Sequence, residues 1–207
     1  MLRSALGIAD REGLGGLTIR ALAGDLGVTP MAVYRHVRDK GEIVDALLDI
    51  VVGDSAPTAH RTRGWRRWIQ ETFARMRAAL RDHPGVLPLL GTRASFGPSA
   101  LRVMDEVLGR LQDAGFDGPS AVRAFHVLIS YTIGFAAIEG AARGERTPAE
   151  RADERAWSKR NRERFAVMEA ADVPNVVALA PRIAGFPTDE AFLAGIETIL
   201  RGLAGTR

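Results

Sequence analysis

The hydrogen-bonding and charged residues best suited to a functional site lie together in one short stretch, GVTPMAVYRHVRDK, from Gly27 to Lys40. The stretch predicts a turn and a short helix on which only Val33 and Val37 share an apolar face. The other faces carry tyrosine, arginine and histidine side chains, which supply hydrogen-bond donors and positive charge. Such groups, together with the backbone N–H groups of a helix start, bind anions and hydrogen-bond acceptors. We therefore predict that this helix presents a binding surface.

The sequence gives little support for disulfides, metal sites or catalytic motifs. The 207 residues include no cysteine, which excludes disulfides, thiolate metal sites and cysteine nucleophiles. His60, His83 and His126 lack metal-ligand spacing to each other or to carboxylates. The adjacent Asp105 and Glu106 face different directions on a helix, and neither a nucleophile elbow nor an H-E-x-x-H motif occurs. We expect no enzyme, no cofactor and no metal.

Composition limits the possible partners. Hydrophobic residues make up 46% of the chain, enough for one large core or for a small domain plus a larger one. The net charge is +3, yet residues 1–52 hold six Lys and Arg against seven Asp and Glu. A nucleic-acid site must therefore depend on where the charges lie. The longest charge-free stretch, residues 124–138, is short of the roughly 20 residues of a membrane span. With no signal-peptide pattern at Met1, we expect a cytoplasmic protein without a membrane partner.

Helical spacing of apolar residues dominates and predicts an all-α fold. A first helix ends at the glycines of GLGG, and Thr18 caps a second, from about Ile19 to Leu26. Thr29 caps a third helix that starts at Pro30 and ends near Val37. Asp39 and Glu42 resemble a capping box for a fourth helix, ending near Val52.

Residues 53–64 are polar and predict a connector between a domain at 1–52 and a larger helical domain at 65–207. The larger domain contains a long apolar helix from Pro119 to about Ala142 and an amphipathic final helix from Asp189 to Leu203. The charge-rich segment 141–164 is expected to be solvated or mobile, with helix as an option.

The second and third helices, joined by GVT, predict a helix-turn-helix with Ala23 at the crossing and Val28, Val33 and Val37 sealing it. A helix of this width fits the major groove of DNA, and its first residues reach base edges. The local positive charge agrees with DNA binding and comes from Arg20, Arg35, Arg38 and Lys40.

The stretch from Leu17 to Asp49 resembles the DNA-binding domain of the TetR (tetracycline-repressor-like) family of bacterial regulators. The matching features are Thr18, Leu22-Ala23, Leu26-Gly27-Val28, Tyr34, His36-Val37, Lys40 and the apolar helix that follows. The resemblance implies that the positions touching bases are Thr29, Pro30, Met31 and Ala32. It also implies phosphate contacts by Tyr34, His36 and Lys40, with Thr18 and Arg20 at the DNA surface. The basic arm that often precedes the first helix is almost absent, so specificity is expected to use thymine methyl groups, Arg20, Arg35 and DNA shape.

Simpler interpretations stay open for single residues. Tyr34 alone could be a surface tyrosine packed on the next helix, and His36 could be a helix C-terminal cap. A run of arginines follows the connector: Arg61, Arg63, Arg66, Arg67, Arg75, Arg77 and Arg81. For this run we favour a solvated helix face, or salt bridges to the first domain, over a second nucleic-acid site.

The long apolar helix predicts a homodimer, because it is too apolar to face water on any side. It would form a four-helix interface with the final helix and their two copies, as the family does. The expected interface residues are Ile129, Ile133, Ala137, Phe192, Ile196, Ile199 and Leu203.

An apolar pocket inside each protomer is implied by the resemblance, although most of its candidate residues could equally be core. The candidates are Trp68, Thr72, Phe73, Met76, Met104, Phe125, His126, Ser130, Tyr131 and Phe165. The resulting prediction is a DNA-binding regulator, a repressor released from a palindromic operator by a small, largely apolar effector. An activator or ligand-independent regulator of the same fold is the alternative, and a helical enzyme or carrier is a more distant one.

Overall fold

The computed structural model of the chain describes residues 1–54, 64–90 and 97–204, apart from 148, 150 and 152. All regular elements in this part of the chain are helices, which confirms the all-α prediction. The α-helices are α1 Leu2–Gly16, α2 Ile19–Asp25, α3 Pro30–Tyr34, α4 Lys40–Asp54, α5 Trp65–Asp82, α6 Pro98–Asp113, α7 Gly118–Glu145, α8 Glu154–Ala166, α9 Pro174–Ile183 and α10 Asp189–Ala204. A 3₁₀ helix, η1, spans Pro84–Leu89.

The predicted connector lies mostly outside the described residues, because α4 continues to residue 54 and the description resumes at residue 64. On either side of it, α4 packs against α5 and α6, and α1 packs against η1. The buried apolar residues of both predicted domains form one continuous cluster, from Ala5 to Leu200. The first four helices, here called the DNA unit, therefore sit directly on the larger helical unit.

Two carboxylates of the DNA unit bond to the larger unit. Asp10 on α1 lies 2.8 Å from Nδ1 of His83 and accepts a hydrogen bond from the N–H of Gly85 at 3.3 Å. Asp49 on α4 accepts hydrogen bonds from the N–H groups of Ser99 and Ala100, at 2.8 and 3.1 Å. These two N–H groups belong to the first turn of α6, so Asp49 caps that helix from another element.

Gly85 lies where η1 approaches α1 most closely, and Gly85→Ala is expected to destabilise the protein. A Cβ atom there would clash with the backbone of Ala9 and Asp10, which cannot rotate aside. The expected loss is about 1–3 kcal/mol, the usual cost of overpacking, measured by thermal unfolding at fixed protein concentration. Gly109→Ala on α6 is the matched control, since a Cβ there meets nothing within 4 Å. Equal melting temperatures for the two variants would contradict the close approach of η1 to α1.

The helix α7 runs through the larger unit and packs against α5, α6 and α10. By length and composition alone it could cross a membrane, but core helices of water-soluble proteins pass the same test. One side of α7 is buried through Phe125, Leu128 and Phe135. Other large apolar residues of α7 are exposed, among them Val122, Val127 and Ile138.

The charge-rich segment after α7 is largely helical in its described part. Trp157 on α8 is buried between the guanidinium groups of Arg146 and Arg160, which lie 4.8 and 4.9 Å from its ring centre. Its indole N–H donates to the carbonyl of Phe186 at 3.4 Å, and Asn161 bonds to the carbonyl of Ala184 at 3.1 Å. One buried tryptophan thus fixes a helix whose other residues are mostly charged.

The arginine run only partly follows the expectation of a solvated face. Arg67 forms a surface pair with Glu71, and Arg66 stacks on Trp65. Arg77 is buried and bonds to Glu139 and Asp189, both in its own unit, so for Arg77 the prediction was wrong. Arg61 and Arg63 lie outside the described residues.

Candidate nucleic-acid interface

The turn between α2 and α3 is set by local hydrogen bonds. Oγ1 of Thr18 accepts the N–H of Ala21 at 3.0 Å, which confirms Thr18 as the cap of α2. After α2, Gly27 adopts a φ of 66°, a left-handed conformation that suits glycine. The N–H of Val28 then donates to the carbonyl of Ala23 at 2.9 Å and closes the turn.

The helix α3 begins as predicted and ends early. Thr29 caps it through a 3.3 Å bond from the N–H of Ala32, and Pro30 is its first residue. The predicted end near Val37 was wrong, because α3 stops at Tyr34. The N–H of His36 bonds to the carbonyl of Val33, three residues back, which tightens the last turn away from α-helical geometry.

The outward face of α3 is open to solvent. Met31 and Tyr34 are 67% and 51% exposed, although both are large and mostly apolar. Val33 and Val37 are buried beneath them, as the valine stripe predicted. Val28 is 45% exposed, so the expectation that it seals the unit was wrong. Among the other predicted DNA contacts, Ala32 and Lys40 are half-buried. The rest are exposed: Thr18, Arg20, Thr29, Pro30, Arg35 and His36.

The start of α4 holds Lys40 against α1. Its Nζ atom donates to the carbonyl of Leu14 at 2.6 Å. That carbonyl follows Gly13, where a φ of 70° interrupts the helical backbone of α1. An ammonium has three N–H donors, so two remain for an anion at this surface. The glycines of GLGG predicted the end of α1. No sequence pattern identified Lys40 as a hydrogen-bond donor to a carbonyl there.

The cap of α4 differs in one detail from a capping box. Asp39 accepts the N–H of Glu42 at 3.0 Å, as predicted. The Glu42 carboxylate accepts the N–H of Arg38 at 2.7 Å, whereas in a capping box it would accept the N–H of Asp39. It also lies 3.5 Å from the Arg38 guanidinium, so its negative charge is offset by that side chain.

The predicted pocket residues lie in the larger unit at different depths. Trp68, Thr72, Phe73, Met76 and Phe125 are buried, Met104, Tyr131 and Phe165 are half-buried, and His126 and Ser130 are exposed on α7. The Thr72 hydroxyl donates to the carbonyl of Trp68 at 2.8 Å. The Tyr131 hydroxyl lies 3.2 Å from two carbonyls of α10, and burial raises the pKa of Tyr131.

Trp68 differs from the other candidates because its indole N–H is buried without an acceptor among the described residues. Its side chain is 2% exposed, and the Arg110 guanidinium lies 5.1 Å from its ring centre. Buried donors are nearly always satisfied in folded proteins, so this one calls for a partner.

The predicted interface residues divide into two groups. Ala137 is exposed, and Ile129, Ile133, Ile199 and Leu203 are half-buried. Phe192 and Ile196 are completely buried within the chain itself and belong to its core. On α10 the exposed large apolar residue is Leu193, which lines a shallow cleft with Ala74 and Ala78 of α5.

A capped helix-turn-helix whose exposed second helix is followed by Arg35, Arg38 and Lys40, carried on a larger helical unit, defines a DNA-binding regulatory protein. Residues 57–207 match the family model for the tetracyclin repressor-like C-terminal domain. The chain belongs to the TetR family of transcriptional regulators.

Named relatives support this assignment. The HTH-type transcriptional repressor DrrR1 of Streptomyces coeruleorubidus is 32% identical, over 98% of this chain and 75% of the relative. The class A tetracycline repressor protein from transposon 1721, in Escherichia coli, is 30% identical over 100% of this chain and 90% of the relative. The crystal structure of the Streptomyces coelicolor TetR family protein ActR with (S)-DNPA matches at a TM-score of 0.80 and 25% identity, covering 100% of this chain and 96% of ActR. These relatives are regulators, and members of the family bind operator DNA and small-molecule effectors as dimers.

Proposed function

We propose that this regulator is a cytoplasmic repressor that binds a palindromic operator as a homodimer and leaves it when a small, largely apolar effector binds. The single observation that carries DNA binding is the exposed face of α3, where Met31 and Tyr34 stand out among cations while Val33 anchors the helix. Asp10 and Asp49, carboxylates of the same four-helix unit that would repel phosphates, are bonded to the larger unit.

Base contacts are proposed for the first turn of α3, from Thr29 to Ala32, with Arg20 and Arg35 alongside. Met31 has no hydrogen-bonding group suited to a base edge, so it would contact a thymine methyl group. Tyr34, His36 and Lys40 would hold phosphates, and each offers a donor at the same surface.

The dimer is proposed to form through the outer faces of α7 and α10. Val127 and Ile138 are exposed large apolar residues on α7, and Ile199 and Leu203 on α10 are half-buried. Two copies of each helix would bury them in a four-helix interface. A two-fold dimer would then present two α3 helices about one DNA turn apart, roughly 34–36 Å, which is why the operator should be palindromic.

The effector is proposed to bind beside Trp68, with the indole N–H donating to a carbonyl or other acceptor on the ligand. The surrounding predicted pocket residues Thr72, Met76 and Phe125 are buried and mainly apolar, which favours an apolar ligand body. Release from DNA requires the effector to bind the non-DNA geometry more tightly than the DNA-bound one.

Trp68→Phe is expected to weaken effector binding by about tenfold, because it removes the N–H and keeps an aromatic ring. An effector is first found by thermal stabilisation across a metabolite library, and its affinity is then measured by calorimetry. Trp65→Phe is the matched control at the start of the same helix. Equal affinities for both variants would show that the Trp68 N–H has no ligand partner.

The test of the function as a whole is fluorescence anisotropy with the DNA upstream of the protein's own gene. Random DNA of equal length is the control, and both are measured at two salt concentrations. Preference for the upstream DNA that persists at the higher salt supports a sequence-specific regulator. Equal binding to both DNAs, falling steeply with salt, would reduce the interaction to phosphate attraction and contradict the proposal for that DNA.

A further inference from the structure

A second cleft lies outside the predicted pocket. It has a volume of about 250 Å³ and is formed by the end of α5, by η1 and by the C-terminal half of α7. Leu87 and Ala136 give it an apolar wall, and three arginines line it: Arg81, Arg143 and Arg151. None of the predicted pocket residues lines this cleft.

The cleft carries a surplus of positive charge. Its carboxylate, Glu139, is bound by the Arg77 guanidinium through two hydrogen bonds of 2.8 and 3.0 Å. Arg77 also pairs with Asp189 at 2.9 Å. Asp82 lies 3.8 Å from the Arg81 guanidinium. Three carboxylates therefore face four guanidinium groups, Arg77 and the three cleft arginines, which leaves a net charge of one.

The cleft arginines keep hydrogen-bonding capacity for a ligand. Arg81 stays 3.7 Å or more from the carboxylates of Asp82, Glu139 and Asp189, which is beyond hydrogen-bond length. Among the described residues, Arg143 donates one hydrogen bond, to the carbonyl of Arg81 at 3.3 Å. Because a guanidinium has five N–H donors, most of its donors can still reach a carboxylate.

We propose that this cleft binds a small organic anion with a carboxylate attached to an apolar body of one or two rings. The carboxylate would pair with Arg143 and Arg81, since arginine and carboxylate match in a two-bond geometry. The rings would lie on Leu87 and Ala136. The volume is just below that of drug-sized ligand sites, which sets the limit of two rings.

The position of the cleft gives its occupant a short route to the DNA unit. Pro84 and Leu87 line the cleft, while Gly85, between them in η1, lies against the backbone of α1. A ligand that shifts η1 would therefore shift α1. This effect on DNA rests on the proposed function, whereas binding at the cleft does not.

The test is calorimetry of the full chain with 2-naphthoate, and with 2-naphthylmethanol as the uncharged comparison. The acid is expected to bind measurably and the alcohol at least about tenfold more weakly. Arg143→Gln is expected to weaken binding of the acid by about tenfold. Gly144→Leu should abolish it, because Gly144 lines the cleft and a Cβ there meets nothing within 4 Å.

Gly109→Leu is the matched control, a helical glycine with equally open space that does not line the cleft, and it should bind like the wild type. Leucine favours helix over glycine, so neither substitution should unfold its helix. No detectable binding of 2-naphthoate, equal binding of acid and alcohol, or unchanged binding by Gly144→Leu would each overturn the proposal. Failure to bind operator DNA, with the calorimetric pattern intact, would refute the proposed function and leave the cleft site standing.

Discussion

The variant Tyr34→Phe/Lys40→Met is expected to weaken operator binding by at least about hundredfold. The Tyr34 hydroxyl is exposed, and Lys40 keeps two N–H donors beyond its bond to Leu14. A hydrogen bond to a charged group is worth about 1.5–3 kcal/mol, and a dimer would lose both groups twice. The affinity is measured by anisotropy, and the slope of its logarithm against salt should fall by roughly one for each lost lysine contact.

Two comparisons make this result specific to DNA contact. Lys159→Met removes a lysine that is exposed on α8, away from α3, and should leave the affinity unchanged. Tyr34→Phe alone keeps the Lys40–Leu14 bond, so its share of the loss cannot come from a displaced α4. Near-wild-type affinity of the double variant, with its helix content preserved, would remove Tyr34 and Lys40 from the DNA surface.

The DNA unit could be predicted from sequence because its determinants are local. Thr18, Thr29 and Asp39 each cap a helix through a bond to a residue three positions later. Such bonds depend on residue type and spacing, which the sequence displays directly. The early end of α3 was missed because the N–H of His36 bonds to the carbonyl of Val33, three residues back. The spacing of apolar residues does not reveal such a bond.

Contacts between distant segments could not be predicted in the same way. Lys40 bonds to a backbone carbonyl 26 residues away, so no side-chain pattern indicates its partner. The part that Asp10 and Asp49 play in attaching the DNA unit to η1 and α6 was visible only in the structure. Helical spacing identified Trp68 and Thr72 as inward-facing, yet it could not show that the Thr72 hydroxyl has a hydrogen-bond partner while the Trp68 indole N–H has none among the described residues.

Arg77 is the clearest case of a residue that sequence spacing misassigns. It lies one position from Met76 and four from Phe73, on the buried side of α5. Because the helix is rich in arginine, the sequence predicted that Arg77 belongs to the solvated face with the other arginines. Its partner Glu139 lies 62 residues further along the chain, where only the packing of α5 on α7 brings it close.

Arg77→Met is expected to destabilise the protein by about 3–5 kcal/mol, because it leaves the Glu139 carboxylate mostly buried without its main partner. The guanidinium also stacks on Phe135 and Phe192, 4.8 and 5.0 Å from their ring centres, and methionine would lose this cation–π attraction. Urea unfolding at fixed protein concentration measures the loss, since the apparent stability of an oligomer depends on concentration.

Arg67→Met is the matched control, because Arg67 and Glu71 pair at 2.9 Å on the same helix with the arginine side chain 75% exposed. Solvent screens this pair, so its loss should cost less than about 1 kcal/mol. Arg77→Met/Glu139→Leu should recover much of the stability, since an apolar pair can replace a buried ion pair of similar volume. If Arg77→Met and Arg67→Met cost the same, Arg77 acts as a surface residue and α5, α7 and α10 are not held together by a buried charge.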